Sequence, residues 1–315
     1  MVGFGADIDA PMVAVRAAHF AAAATTAGAL LFRAVVADPA LHEAEQIGRV
    51  IDSGIRRIAW AGFLIAFVSG ILWLLLQTSA MSGQTLGEAV LSGAIVTVVN
   101  DTQFGLVSEI RLALAVLLAV CLAFDRQKST RWLALGAALC LVAAIAWTGH
   151  AASTPFKLGY LHLAADALHL CGAAAWIGGL MSLALLIRIV GRYHASAGAP
   201  MRLDAVRRFS ALGMVSVATL VISGIINAWI LVGSVRALLL TDYGRILMLK
   251  VAAFIAMLAL AAANRFWLTP RLADPEGGAP RYLMLNTVAE IVLALFVFAL
   301  VGLLGTMHPA AHLAK

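Results

Sequence analysis

The sequence predicts an all-α fold: a polytopic membrane protein built as a bundle of eight transmembrane helices, with both chain ends on the outer side. Three observations carry this. Hydrophobic residues make up 63% of the 315 and charged ones 12%, with a mean hydropathy of +0.96, whereas soluble domains are about 25% charged. Eight apolar runs are each long enough, at about 1.5 Å per residue, to cross a hydrocarbon core of about 30 Å. They lie near 12–36, 57–79, 104–124, 131–150, 158–187, 209–233, 246–268 and 284–306. Finally, lysine and arginine are concentrated in alternate connections.

The apolar stretch 85–99 (TLGEAVLSGAIVTVV) is shorter and broken by glycine, which predicts an interfacial piece. The cation-rich connections hold Arg33, Arg49, Arg56 and Arg57; Arg126, Lys128 and Arg131; Arg188, Arg192, Arg202, Arg207 and Arg208; and Arg265, Arg271 and Arg281. The opposite set has none between Gln77 and Gly105, then only Lys157, Arg236, Arg245 and Lys315. Cytoplasmic loops retain the cations, so both termini are expected outside. The net charge of +6 is this inner excess meeting anionic lipid, and it calls for no nucleic-acid partner.

MVGFGADIDA at the start is acidic where a signal peptide would be basic, so the first helix is expected to be retained. AVVADPA around Ala37 faintly resembles a cleavage site, but Arg33 just before it reads as a cytoplasmic stop. Cys121, Cys140 and Cys171 all fall in apolar runs with no CxxC, so no disulfide framework is expected. The longest connection, roughly 188–208, is too short to fold alone. No internal repeat is legible, and residues 1–315 read as a single transmembrane domain.

Polar residues inside the spans locate the candidate site. In LGYLHLAADALHLCGAAAWIGGLMSLALL (158–186), His162, Asp166 and His169 lie about 6, 12 and 16 Å below the outer surface. Spacings of four and three residues place them on one helical face. That face must look into the bundle, because an ionisable group against lipid costs several kcal/mol. His19 lies about 10 Å deep on the first helix, His150 ends the fourth in WTGHAAS, and His308 and His312 follow the eighth in GTMHPAAH. Six of the eight histidines thus belong to the outer half, leaving His42 and His194 in inner loops.

Imidazole is the commonest metal ligand and suits copper and zinc, so one reading is a metal site opening outward. The other is that the buried histidines hydrogen-bond across helices. Asp166 beside His169 favours the metal reading, since a carboxylate can ligate directly or orient an imidazole. Cys140, Cys171 and Met307 are soft donors, but Cys171 lies about 200° around the helix from His169, and buried cysteine usually serves as a small hydrophobe. Glu109, Arg111, Asn227, Lys250 and Glu290 also lie in or at the ends of spans, either as interhelical pairs or as a proton or ion relay.

Several segments together resemble the copper-resistance protein D (CopD) family of bacterial inner-membrane proteins: DTQFGLVSEIRLAL (101–114), TGHAAS (148–153), LAADALHLCGAAAWIGGL (163–180), RFSALGMVSVATLVISGIINAW (208–229), YGRILMLKVAAFIAMLALAAANRFWLTP (243–270) and the C-terminal glutamate followed by GTMHP. The resemblance is strongest over 101–309, with His19 a weaker match. It implies an inner-membrane protein of copper homeostasis that moves copper from periplasm to cytoplasm, often with a small periplasmic CopC-like partner. The family pattern falls on His150 in GHA and on Asp166, His169 and Trp176 in DxxHxxxxxxW. His162 lies outside that pattern, and no CopC-like domain is fused here.

Together these readings predict a copper site with His19, His150, Asp166 and His169 at its core and His162 and His308 as entry ligands. Arg111, Trp176, Asn227, Lys250 and Glu290 would be structural or relay residues. Either Cu(I) or Cu(II) suits imidazole and carboxylate. With no GxxxxGK[ST] motif in the chain, transport would be passive or ion-coupled. No catalytic residue is expected. The alternative is a membrane redox protein, an oxidoreductase holding haem b between paired helix histidines such as His19 and His169.

Overall fold

The computed structural model describes residues 9–41, 45–125, 127–192, 195–273 and 278–313. His42 and His194 lie outside the described residues, as does the side chain of His312. Eight helices are long and apolar enough to cross a membrane: α1 (Ala10–Ala40), α2 (Gln46–Ser82), α3 (Gln103–Ala123), α4 (Lys128–Thr148), α5 (Lys157–Val190), α6 (Pro200–Val232), α7 (Asp242–Leu272) and α8 (Ala279–Leu304). Among the described residues there is no strand. Leu64, Val68, Ile222, Ile225 and Val292 are exposed on the outside of the bundle, as a lipid-facing surface requires.

Several helices outrun their apolar cores. α2 and α6 begin well before theirs, because the basic stretches ahead of them keep helical periodicity and bury Ile51, Ile55, Ala205 and Val206. The interfacial piece at 85–99 becomes two short helices, Leu86–Leu91 and Ala94–Asp101, joined at Gly93 with φ +78°. Thr85 and Glu88 form a reciprocal capping box at the start of the first. His150 does not end α4 as expected. Gly149 is extended, and His150 opens a separate 3-10 turn, His150–Ser153.

The structure also corrects the expectation of no internal repeat. Each half of the chain runs helix, helix, short surface helix or helices, helix, helix, and equivalent residues do equivalent work. Thr102 caps α3 by accepting from the Gly105 amide and donating to the Val98 carbonyl; Thr241 caps α7 by accepting from Gly244 and donating to Ala237. A Cβ on Gly105 or on Gly244 would collide with backbone of the preceding short helix, Ala94–Asp101 or Val235–Leu240. Packing is reciprocal too: α1 touches α2, α4, α5 and α8, while α5 touches α6, α8, α1 and α4. The repeat escapes a reading of hydropathy because its members share small and polar anchor positions while their apolar residues are interchangeable.

α1 and α5 are the most enclosed spans and form the centre of the bundle. Both contain a π-helical turn, Arg33–Ala37 in α1 and Ala174–Gly178 in α5, and a third occupies Asn264–Leu268 of α7. On the side away from the chain ends, Arg33 pairs with Asp125 and with Asp52 at 2.6 Å, and Arg131 reaches Asp125 at 3.4 Å. This network ties α1, α2 and α4 to the end of α3. Removing one partner of such a buried network costs far more than the intact network adds to stability.

Candidate functional site

The expected ligand residues fall into three neighbouring environments on the side that carries the chain ends, and among the described residues no group of three or more His, Cys, Asp or Glu meets at one point.

The first lies in the C-terminal half. His169 Nδ1 is 3.0 Å from Ser223 Oγ, and that hydroxyl donates at 2.5 Å to the Thr219 carbonyl one turn back along α6. With its proton so engaged, Ser223 can only accept, so Nδ1 carries the imidazole hydrogen and Nε2 holds the lone pair. That is the tautomer a metal-binding imidazole needs, held by an outer hydrogen bond. One turn above on α5, Asp166 Oδ1 accepts from Asn227 Nδ2 at 3.3 Å. Asn227 Oδ1 is buried and has no hydrogen-bond partner among the described residues. Lys250 of α7 lies within electrostatic reach of both Asp166 and His169. A carboxylate and an imidazole thus stand on neighbouring turns of α5, each hydrogen-bonded to α6.

The second lies towards the surface from the first. His162 is 1% exposed, with Nδ1 2.7 Å from Thr154 Oγ1. His150 donates from Nε2 to the Leu304 carbonyl at 3.3 Å, and its ring meets Tyr243 edge-on at 6.4 Å. His150 and His162 interact electrostatically, as do Tyr243 and Asp166. His308, two residues beyond Thr306 at the end of α8, is exposed. Polar groups thus continue from the surface to Asp166 and His169.

The third environment surrounds His19 in the N-terminal half. Its Nδ1 is 3.1 Å from Ser69 Oγ, which donates at 2.6 Å to the Ile65 carbonyl. Its Nε2 faces the Arg111 guanidinium, which donates to it. Trp73 packs edge-on against the ring at 5.5 Å. His19 is therefore engaged on both nitrogens within its own half. The paired-ligand arrangement a haem would need gains no support from this geometry, since Arg111 stands where the iron would.

These two histidine environments are the repeat seen in its buried polar residues. Ser69–Gly70 and Ser223–Gly224 present the same hydroxyl and the same Cβ-free edge to a histidine ring; a Cβ on Gly70 would lie 3.4 Å from His19 Cε1, and one on Gly224 3.3 Å from His169 Cε1. Residues 203–304 match the sequence profile of Copper resistance protein D, and residues 7–160 match that of Copper resistance protein D-like, N-terminal domain. The chain is 31% identical over 263 residues to Copper resistance protein D of Pseudomonas syringae pv. tomato, an alignment spanning 81% of this chain and 84% of that one. The chain belongs to the copper resistance protein D family.

Two further relatives of this family member are Inner membrane protein YebZ of Escherichia coli K12 (30% identical; 81% of this chain, 88% of the relative) and Copper transport protein CutJ of Bacillus subtilis (33%; 66% and 39%). No solved structure matches the chain. Within the copper resistance protein D pattern, Asp166 and His169 find hydrogen-bond partners on α6, in Asn227 and Ser223. Trp176 is instead buried in the α5 π-turn, perpendicular to Phe254 at 6.0 Å, a packing role. Glu290 accepts from Asn264 at 2.7 Å, and Asn264 accepts from Asn286 at 2.8 Å, binding α7 to α8. Sequence reasoning missed Ser69, Ser223, Thr154, Tyr243, Arg16 and Trp73. The serines alone had a signal, the repeated SGI of FVSGILW and VISGIIN.

Proposed function

We propose that this multi-pass protein serves copper homeostasis in the bacterial inner membrane. It takes copper from the periplasm through His150 and His162, holds it at Asp166 and His169, and passes it towards the cytoplasm. The observation that carries this reading is the serine-held tautomer of His169, which leaves Nε2 a lone pair one turn along α5 from the Asp166 carboxylate. Two of the relatives are named for copper resistance and copper transport. The cation-rich connections support a topology with the histidine-bearing side outside, where a CopC-like protein would deliver the ion. Imidazole nitrogen and carboxylate oxygen accept copper in either oxidation state. No catalytic step is assigned to any residue.

The test is metal analysis with an optical spectrum on detergent-purified protein, followed by copper uptake into sealed vesicles. Copper near one equivalent that falls in His169→Ala, with uptake lost in parallel, is the expected result. A Soret band would move the protein to redox chemistry, and vesicles that bind copper without accumulating it would remove the transport claim.

A further inference from the structure

The repeat makes the two histidine sites comparable residue by residue, and their charges differ. Arg16 stands on α1 where Asp166 stands on α5, three residues before the histidine in each case. Trp73 takes the place of Asn227, four residues after the serine, and Arg111 that of Lys250, six residues after the helix-capping glycine. A cation site in one half thus corresponds to a doubly cationic site in the other.

Neither arginine has a carboxylate partner among the described residues. They lie instead against the Trp73 indole, with Arg16 Cζ 4.6 Å and Arg111 Cζ 5.3 Å from the ring. Arg16 is 7% and Trp73 1% exposed, and two of their donors, Arg16 Nε and Trp73 Nε1, are buried with no hydrogen-bond partner among the described residues. Unpaired charge and unmade donors are both costly inside a bilayer. Every missing partner here is an acceptor, and two guanidiniums make it a negative one.

Beside His19 and Arg111 a cavity of about 210 Å³ opens between α1, α2, α3 and α4, lined by Phe63, Phe67, Ile71, Leu112, Ala115 and Leu118. Glu109 at its rim is exposed and forms no ion pair among the described residues. We propose that this half holds a long-chain carboxylate, its head at Arg111, the guanidinium that lines the cavity, with Arg16 behind it across the Trp73 ring, and its chain in the cavity. Depth selects a carboxylate over a phospholipid head: Arg111 lies eight residues into α3, about 12 Å below the surface, where acyl chains run. The site is separate from the copper site, so either assignment stands without the other.

The probe is 9,10-dibromostearate, which quenches tryptophan fluorescence on contact, titrated into full-length protein in detergent. The wild type and His169→Ala should show the same saturable quenching. Arg111→Gln should weaken binding at least tenfold, and Ala115→Leu, which narrows the cavity without changing charge, should weaken it independently. Quenching that rises linearly and alike in all four proteins would overturn the proposal, as would equal binding of the uncharged methyl ester. Quenching by a dibrominated phosphatidylglycerol in nanodiscs, with none by the free acid, would assign the site to a lipid headgroup and overturn the carboxylate.

Discussion

Gly28 of α1 and Gly178 of α5 cross backbone on backbone, each closing on the other's helix. A Cβ on Gly28 would stand 2.2 Å from the Ala174 carbonyl oxygen, and one on Gly178 would stand 1.9 Å from that of Ala24. The contact is self-complementary: each glycine meets the residue four positions before the other, as across a two-fold axis. With lipid as solvent there is little hydrophobic drive between helices, so close approach through small residues is what joins the two halves.

Gly178→Ala should therefore separate α1 from α5. Overpacking of this kind costs about 1–3 kcal/mol, and the atoms met are backbone, which cannot turn aside. Thermal unfolding in detergent should show a lower Tm. Gly136→Ala, at a position where a Cβ meets nothing within 4 Å, should leave the Tm unchanged or raise it slightly.

Ser223 should act on copper through His169 without touching it. Ser223→Ala frees the imidazole to take either tautomer, and loss of such an outer hydrogen bond lowers metal affinity by about 10–100-fold. Ser223→Thr keeps the hydroxyl and should restore most of it. Competition titration against a copper chelator measures both, and an alanine variant with wild-type affinity would remove the serine from the account.

The Arg33–Asp125 pair should be structural. Asp125 is 4% exposed and is shared by Arg33 and Arg131, so Asp125→Asn leaves the buried Arg33 with Asp52 alone, at a cost towards the lower end of the about 3–5 kcal/mol that breaking a buried pair takes. Expression and Tm should fall sharply. Replacing Arg33 and Asp125 together with apolar residues should recover part of the loss, a non-additivity that a double-mutant cycle reads directly.

His162 and Asp166 should separate entry from holding. His162→Ala should slow vesicle uptake while equilibrium copper content stays near wild type. Asp166→Asn should lower the content itself, because it removes the charge that balances the cation. Equal loss of content in both variants would merge the two environments into one site.

The surface helix Leu86–Leu91 should fray in acid. Hydrogen bonds from the Thr85 amide and hydroxyl hold the Glu88 carboxyl below its ordinary value. A depressed folded value means that the cap is intact above the ordinary carboxylate range and is lost as pH falls through and below it. Amide hydrogen exchange at Glu88 and Ala89 should accelerate on acidification beyond the intrinsic pH trend, and Glu88→Gln should blunt that change.

Length, hydropathy and spacing alone were enough to establish eight helices able to span a membrane and the break in the apolar pattern after α2. These follow from the chain's local period and the thickness of hydrocarbon, both of which are one-dimensional facts. Trp176 shows the limit: its place in a recognisable pattern marked it beside Asp166 and His169, yet the π-turn swings it into packing against Phe254.

Convergence was decided only in three dimensions. Nothing in the sequence says which helix neighbours which, so His19 could be grouped with His169 until α2 and α6 were seen to supply a serine to each. Ser69 and Ser223 look like ordinary helix residues until their hydroxyl protons are traced to the Ile65 and Thr219 carbonyls. The repeat was hidden for the same reason. Apolar side chains facing lipid exchange freely, and what the two halves share is a handful of contact geometries at Gly28 and Gly178, Thr102 and Thr241, and His19 and His169, which only packing makes visible.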